Sequence, residues 1–351
     1  MNPDKPRRKN PPVPKPTPTP EKQPGRSLKW LQPVIHALDY LFIFRPTLFF
    51  MLWTVVLIGL AGYHFTSGES IWWQVSVDWG NVLNIVMISL LFGSIFIFNQ
   101  LKDITSDHIN RKVFIISEGH VTAERARWIG YVAMVAPLVY FLLVNRYLLI
   151  IGLALLLVGY IYNGYWKNQP GVDALGNILF GVLLYLFGWG LNALPGRPAV
   201  RHLVPYIFIC GAFFLLTTIP DMKGDAAVNK RTFAVAFGIK ITIWVAAACQ
   251  LLGFLAGLLI RDPLVTHPTL LSLPLFGVIV FQSNQAWVLR TIRYTLLFYA
   301  GFICVLFPWY FVVICVNFFL SKMYYRHRFG LDYPTFQVED AIDDPDRSGQ
   351  M

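Results

Sequence analysis

The chain has 351 residues, of which 56% are hydrophobic, 16% aromatic and only 14% charged, where soluble domains carry about 25% charged residues. With a mean hydropathy of +0.53, that composition excludes an ordinary soluble domain and points to a chain solvated largely by lipid. A formal net charge of +10 would raise nucleic-acid binding in a soluble protein. Here the charge follows membrane topology, and no nucleic-acid partner is expected.

The first 30 residues hold nine prolines and eight Lys/Arg with no apolar stretch. They lack the apolar core of a signal peptide and cannot bury surface, so residues 1–27 are expected to form a disordered, basic, Pro-rich tail. Residues 28–44 set apolar positions on a helical period among Lys29, His36 and Asp39, the pattern of an interfacial helix. A spanning helix needs about 17–25 mostly apolar residues. Nine such stretches follow, at 46–65, 82–101, 128–144, 147–165, 174–194, 203–219, 241–260, 268–284 and 295–320. Only Asn145-Arg146 separates the third from the fourth, which predicts a tight hairpin. Pro308 falls inside the ninth and predicts a kink. The expected fold is an all-α membrane protein, nine transmembrane helices in a bundle, with a membrane domain over 28–320 and a polar, acidic tail over 321–351. Cys210, Cys249, Cys304 and Cys315 all lie in apolar runs and form no Cys-x-x-Cys pair; they read as small buried apolar residues.

With the N-terminus in the cytoplasm, 21 of the 29 Lys/Arg fall on that side, the bias expected of the positive-inside rule. The expected location is therefore a multi-pass position in a cytoplasmic membrane, of bacterial type, with the N-terminus and both acidic motifs on the cytoplasmic side.

Residues 46–320 contain ten carboxylates, and four of them sit in two short motifs. The first, Asn99-x₃-Asp103-x₃-Asp107, closes the second span; the second, Asp221-x₃-Asp225, closes the sixth. Residues four apart share a helical face, so each motif projects a stripe of oxygen ligands, and Asn229 extends the second stripe if its helix continues. Like charges on one stripe repel. A hard cation resolves the repulsion, since Mg²⁺ takes one or two carboxylates and completes its shell with phosphate and water oxygens. One Asp-x₃-Asp alone is more often a solvated cap; two on the same side of a membrane, facing each other, suit Mg²⁺ bridged by a diphosphate. Lys102, Arg111, Lys112, Lys223, Lys230 and Arg231 surround them. Part of this is topological excess, but Lys230-Arg231, directly after an acidic stripe, suits a grip on a departing diphosphate.

At these residues the chain resembles the UbiA-type membrane prenyltransferase superfamily, over roughly 40–320. Asn99-Gln-Leu-Lys-Asp103-Ile-Thr-Ser-Asp107-His-Ile-Asn-Arg111 is similar to that family's first Asp-rich motif. Ile219-Pro-Asp221-Met-Lys-Gly-Asp225, followed by Lys230-Arg231-Thr232, is similar to its second. Arg45-Pro46-Thr47, Tyr162-Asn163 with Lys167, and Gly176-Asn177 resemble further family segments. The resemblance implies a helical bundle around a central, lipid-accessible cavity, with Asp103, Asp107, Asp221 and Asp225 holding Mg²⁺ and diphosphate and Asn99 assisting. It implies Arg45, Tyr162, Lys167 and Lys230 along the diphosphate and acceptor region. The chain departs from the family in Val113-Phe-Ile-Ile-Ser-Glu118-Gly119, where a Pro-containing stretch is usual, and at Asn229, where a glycine is usual.

The implied activity is Mg²⁺-dependent transfer of a prenyl group from its diphosphate to a lipophilic acceptor, with an allylic cation sheltered among aromatic walls. Asn99-Gln-Leu-x-Asp and Ile-Pro-Asp-x-x-Gly-Asp lean toward members that act on aromatic, quinone-precursor or chlorin acceptors. A terpene cyclase or phosphoribosyl-type transferase shares the same motifs. A divalent-cation or lipid transporter also places acids in membranes, but usually at midplane and on broken helices; a non-catalytic scaffold is a further alternative. Membrane lipid is the expected surrounding, and no feature calls for a soluble protein partner.

Overall fold

A computed structural model describes residues 32–69, 73–74, 76–109 and 114–335, with the side chains of 105–109 excepted. The expected tail at 1–27 and the last part of the expected C-terminal tail lie outside the described residues. In chain order the helices are α1 (Gln32–Phe42), a 3-10 turn (Pro46–Leu48), α2 (Phe49–Ser67), α3 (Trp79–Ile109), α4 (Phe114–Ser117), α5 (Ala123–Val144), α6 (Arg146–Gly164), a 3-10 turn (Trp166–Asn168), α7 (Val172–Trp189), α8 (Arg197–Ala227), α9 (Phe233–Ile260), α10 (Pro263–Gln282), α11 (Gln285–Leu306) and α12 (Pro308–Phe329). Among the described residues there is no strand, and nine helical segments are long and apolar enough to cross a membrane. Helix is the expected answer, because lipid offers no partner for an exposed backbone N–H or C=O.

Local chemistry explains the boundaries. Asn145 caps α6 by accepting from the N–H groups of Tyr147 (2.9 Å) and Leu148 (3.4 Å), which makes the α5–α6 hairpin as tight as the sequence predicts. Asp262 and Asn284 cap α10 and α11 in the same way. Helix α8 ends at Ala227, and Asn229 adopts φ +58°. Asparagine tolerates this left-handed conformation better than most non-glycine residues. Asn229 therefore does not extend the Asp221–Asp225 stripe; it closes the helix, doing the conformational work of a glycine.

The bundle centre is formed by α2, α3 and α8, the most buried of the spans, while α5 is the least buried. Helix α2 packs on α7 through backbone contact: a Cβ on Gly188 would lie 1.9 Å from the Val56 carbonyl oxygen, and one on Gly59 would lie 2.1 Å from that of Tyr185. Without an aqueous hydrophobic drive between helices, close approach of small residues is a main source of adhesion. Helices α3 and α8 touch each other, and each is 31 residues long, or about 46 Å. That exceeds a hydrocarbon core of about 30 Å. Their overhanging ends carry the two acidic motifs, so the carboxylates are displaced from the bilayer centre.

The ninth expected span requires a correction. Residues 295–320 are not one kinked helix: α11 stops at Leu306, Phe307 is non-helical (φ −123°, ψ 82°), and Pro308 opens α12. A residue before proline is pushed out of the helical region, and here the chain reverses. Helix α12 runs back along α2 and α1. The Tyr310 hydroxyl bonds to the Phe50 carbonyl (2.8 Å), Asn317 Nδ2 donates to the Pro46 carbonyl (3.0 Å), and the Tyr324 hydroxyl donates to Asp39 Oδ1 (2.6 Å). The C-terminal end of α12 thus returns to the face of the acidic motifs, not the opposite face, and the helix crosses the boundary expected at residue 320. The expected interfacial helix is present as α1, yet Asp39 is 3% exposed and points inward, not along a polar outer face.

Candidate functional site

The two motifs meet at the overhanging ends of α3 and α8. Asp103, on α3, is 9% exposed and Asp225, on α8, 7% exposed. Carboxylates buried to this degree need compensating charge, and two lysines supply it. Lys167 lies in the 3-10 turn between α6 and α7, and its Nζ stands 2.6 Å from Asp103 Oδ1 and 3.5 Å from Asn99 Oδ1. Lys230 follows α8, and its Nζ lies 3.3 Å from Asp103 Oδ1 and 3.5 Å from Asp225 Oδ1. One ammonium thus bridges a carboxylate from each motif, which puts the two oxygens less than about 7 Å apart. The turn at Asn229 makes this possible: the Lys230 N–H bonds back to the Asp225 carbonyl at 2.8 Å, folding the lysine over the helix end.

Other predicted residues fall around this centre. Asp221 lies one turn before Asp225 on α8 and is half-buried. Pro220 precedes it, and the missing proline N–H interrupts the helix bonding there. Tyr162 on α6 packs on Gly176, where a Cβ would meet its ring at 2.6 Å, and it faces Asn177 and Phe180. Lys102 reaches across to donate to the Asn163 carbonyl, strapping α3 to α6. Asp107 lies on the last turn of α3, but its side chain is outside the described part, and Arg111 lies outside the described residues. Arg45 is half-buried in the left-handed link before Pro46 (φ 57°); its neighbour is Tyr325 of α12, and it is not brought into the lysine–aspartate cluster. Arg231 is exposed at the entrance to α9.

One residue was not singled out from the sequence. Asp173, in the first turn of α7, is fully buried and accepts from Gly171 N and Ala174 N, both at 2.8 Å. Its other oxygen accepts from Phe233 N at 3.1 Å, tying the start of α9 to the start of α7 behind Lys230. The available signal is an acidic residue in the first turn of an apolar helix.

An oxygen-rich donor set in which lysine ammonium groups already sit among carboxylates is chemically suited to a hard divalent cation. Among the described residues no three His, Cys, Asp or Glu side chains converge closely enough to hold a metal unaided. A metal here would draw the rest of its shell from water or from phosphate oxygens. Among the described residues an open surface groove and a smaller cavity lie elsewhere. The groove, of about 630 Å³, runs along Phe311, Cys315 and Phe319 of α12, and the cavity, of about 120 Å³, lies on the opposite face between His64, Asn81 and Trp309. Asp103, Asp221 and Asp225 line neither.

Comparison with known proteins supplies the context. The UbiA prenyltransferase family model matches residues 55–293. A digeranylgeranylglyceryl phosphate synthase of Sulfurisphaera tokodaii is 31% identical over 170 residues, covering 47% of this chain and 60% of that protein. One from Methanopyrus kandleri is 28% identical over 215 residues, covering 60% and 78%. A 2-acyl-4-prenylphloroglucinol 6-prenyltransferase of Humulus lupulus is 24% identical over 200 residues, covering 53% and 48%. The chain thus spans about 60% of the length of the first curated relatives it matches. Among solved structures, a UbiA homologue from Archaeoglobus fulgidus bound to GPP and Mg²⁺ superposes with a TM-score of 0.59 at 18% identity, covering 79% of this chain and all of that one. A structure described for digeranylgeranylglyceryl phosphate synthase gives 0.54 at 18% identity, covering 76% and 98%. These relatives are archaeal or from a plant, and they lend nothing to a bacterial membrane in particular. None of them is named for a quinone acceptor.

Proposed function

This chain belongs to the UbiA prenyltransferase family, and on that premise we propose that it transfers a prenyl group from a prenyl diphosphate to a lipid-soluble acceptor with Mg²⁺ as cofactor, at the junction of α3 and α8. The supporting observation is the Lys230 ammonium between Asp103 of one motif and Asp225 of the other. It brings both acidic stripes, and the cations that neutralise them, to one place at the membrane boundary.

In this reading Asp103, Asp107, Asp221 and Asp225 hold Mg²⁺, which when bound offsets the negative charge that develops on the leaving diphosphate. Lys230 and Lys167 contribute positive charge from positions fixed by ion pairs, so little reorganisation is needed as the leaving group's charge grows. Asn99 turns its carbonyl oxygen to Lys167 and orients it. Tyr162, held against Gly176 and Phe180, walls the site on the α6–α7 side. The Lys/Arg bias supports a cytoplasmic position for this face, and the return of α12 brings Lys322, Arg326 and Arg328 to the motif end of the bundle.

The acceptor follows the relatives more than the motif wording. Most are named for a glyceryl phosphate product and one for an aromatic acceptor. We therefore assign a glycerophosphate-type lipid alcohol as first acceptor and an aromatic acceptor as second reading, replacing the expected quinone precursor. The test is Mg²⁺-dependent diphosphate release by purified protein in lipid, given C10 to C20 prenyl diphosphates with either acceptor class, with products identified by mass spectrometry. A prenylated glycerophosphate lipid, lost with EDTA and reduced about 100-fold or more in Asp103→Ala, supports the assignment. Diphosphate release without an adduct would favour a cyclase, and absence of both release and binding would overturn the reading.

A further inference from the structure

Helices α1 and α12 lie outside the family-matched stretch of 55–293, yet they carry a buried charged network of their own on the motif face. Asp39 of α1 accepts from the Tyr324 hydroxyl at 2.6 Å and from Arg328 Nε at 3.1 and 3.3 Å. His36 Nδ1 stands 3.7 Å from the same carboxylate. Asp39 is 3% exposed and Tyr324 fully buried. The other end of the Arg328 guanidinium lies 2.6 Å from His120 Nδ1. Arginine can only donate, so His120 Nδ1 accepts and its proton sits on Nε2, which faces Glu118 Oε2 at 3.4 Å. The Phe329 ring lies beside the imidazole, 5.5 Å between centroids.

His120 is rigidly joined to the segment that follows the first Asp motif. Val121 N bonds to the Ile115 carbonyl (3.2 Å) and Gly119 N to that of Ile116 (3.1 Å), closing α4 and its turn into one unit. Ile115, Ile116 and Val121 bury against Ile35, Phe42 and Tyr324. The same cluster takes in Ile97, Leu101 and Ile104 of α3, so the α4 turn packs directly on the helix that carries the first Asp motif. A second strap acts from the residue that follows α1: Gln100 Nε2, beside Asn99, donates to the Ile43 carbonyl at 2.8 Å.

We propose that Asp39, Arg328 and His120 form a clamp through which the C-terminal helix positions the end of the first Asp motif for prenyl diphosphate. None of the three touches the reacting atoms. Asp39 fixes the guanidinium, the guanidinium holds His120, and His120 holds the α4 turn that packs on the helix carrying the motif. The kinetic part of this inference rests on the prenyltransferase reading above; the structural part does not.

The experiment compares wild type, His120→Ala and His120→Asn in lipid, by hydrogen exchange of the 114–121 amides and by kinetics. His120→Ala breaks the clamp without unpairing buried Asp39, so the fold should survive. The asparagine carbonyl can still accept from Arg328. In His120→Ala, faster exchange across 114–121 and an apparent KM for prenyl diphosphate raised about fivefold are expected, with kcat within about twofold. His120→Asn should recover both. Unchanged exchange and KM in His120→Ala, or no recovery in His120→Asn, would overturn the clamp. A wild type that binds no prenyl diphosphate would instead overturn the functional reading, and the exchange data would still decide the clamp.

Discussion

At the scale of single residues, the site is a balance of buried charge. Lys167 and Asp103 have side chains only 7% and 10% exposed and form a 2.6 Å pair. Removing Asp103 strips the buried Lys167 ammonium of its carboxylate, at a cost of up to about 3–5 kcal/mol; removing Lys167 costs less, because Asp103 keeps Lys230 at 3.3 Å, and removing both with shape retained costs little. Lys167→Met and Asp103→Asn are therefore each expected to lower the unfolding midpoint in detergent. The double variant should recover most of the loss, with a coupling energy of about 2–3 kcal/mol in a double-mutant cycle, and should still be inactive. Additive losses would show that the pair is not a unit. Asn229 offers a second test at this scale. Its φ of +58° suits glycine and penalises branched residues, so Asn229→Gly should be tolerated, while Asn229→Val should destabilise by about 1–2 kcal/mol and loosen Lys230. Thermal unfolding and diphosphate affinity would show both.

At the scale of elements, helix–helix contact decides where the motifs sit. The α2–α7 crossing depends on two glycines facing carbonyl oxygens, with no room for a methyl group at Gly188. Gly188→Ala is expected to force the helices apart and destabilise by about 1–3 kcal/mol, read as a lower yield of folded protein and a lower midpoint. Gly330→Ala, at a C-cap where an added Cβ meets nothing, would show only backbone strain at φ +68°. Helix positions and the acidic stripes were legible because apolar length and i, i+4 spacing are local properties. The fate of Asp39 and Asp173 was not. Each is one carboxylate in an apolar helix, and its partners lie far along the chain: Arg328 for Asp39, Phe233 N for Asp173.

At the scale of the whole molecule, the return of α12 changes the topology. Nine crossings alone would leave the C-terminal residues on the face opposite the aspartates, but α12 doubles back to Asp39. Single cysteines introduced at Lys223 and Gly330, with Cys210, Cys249, Cys304 and Cys315 replaced, should react with a membrane-impermeant maleimide from the same side, and one at Arg261 from the other. Labelling of Gly330→Cys together with Arg261→Cys would contradict this path.

Composition, apolar run length and residue spacing sufficed for an all-helical membrane bundle, for eight of the nine expected spans with errors confined to their ends, and for locating two acidic motifs at helix ends. Each of these depends on neighbours within a few turns of one helix. Only the tertiary structure decided which cations meet which acids. Lys167 and Lys230 converge on Asp103 from different loops, while Arg45 and Arg231 do not, because charge complementarity between distant segments leaves no periodic trace. It also decided that Pro308 reverses the chain: hydropathy is the same on either side of a turn, and the contacts that draw α12 back along α2 and α1 come from residues more than 250 positions away.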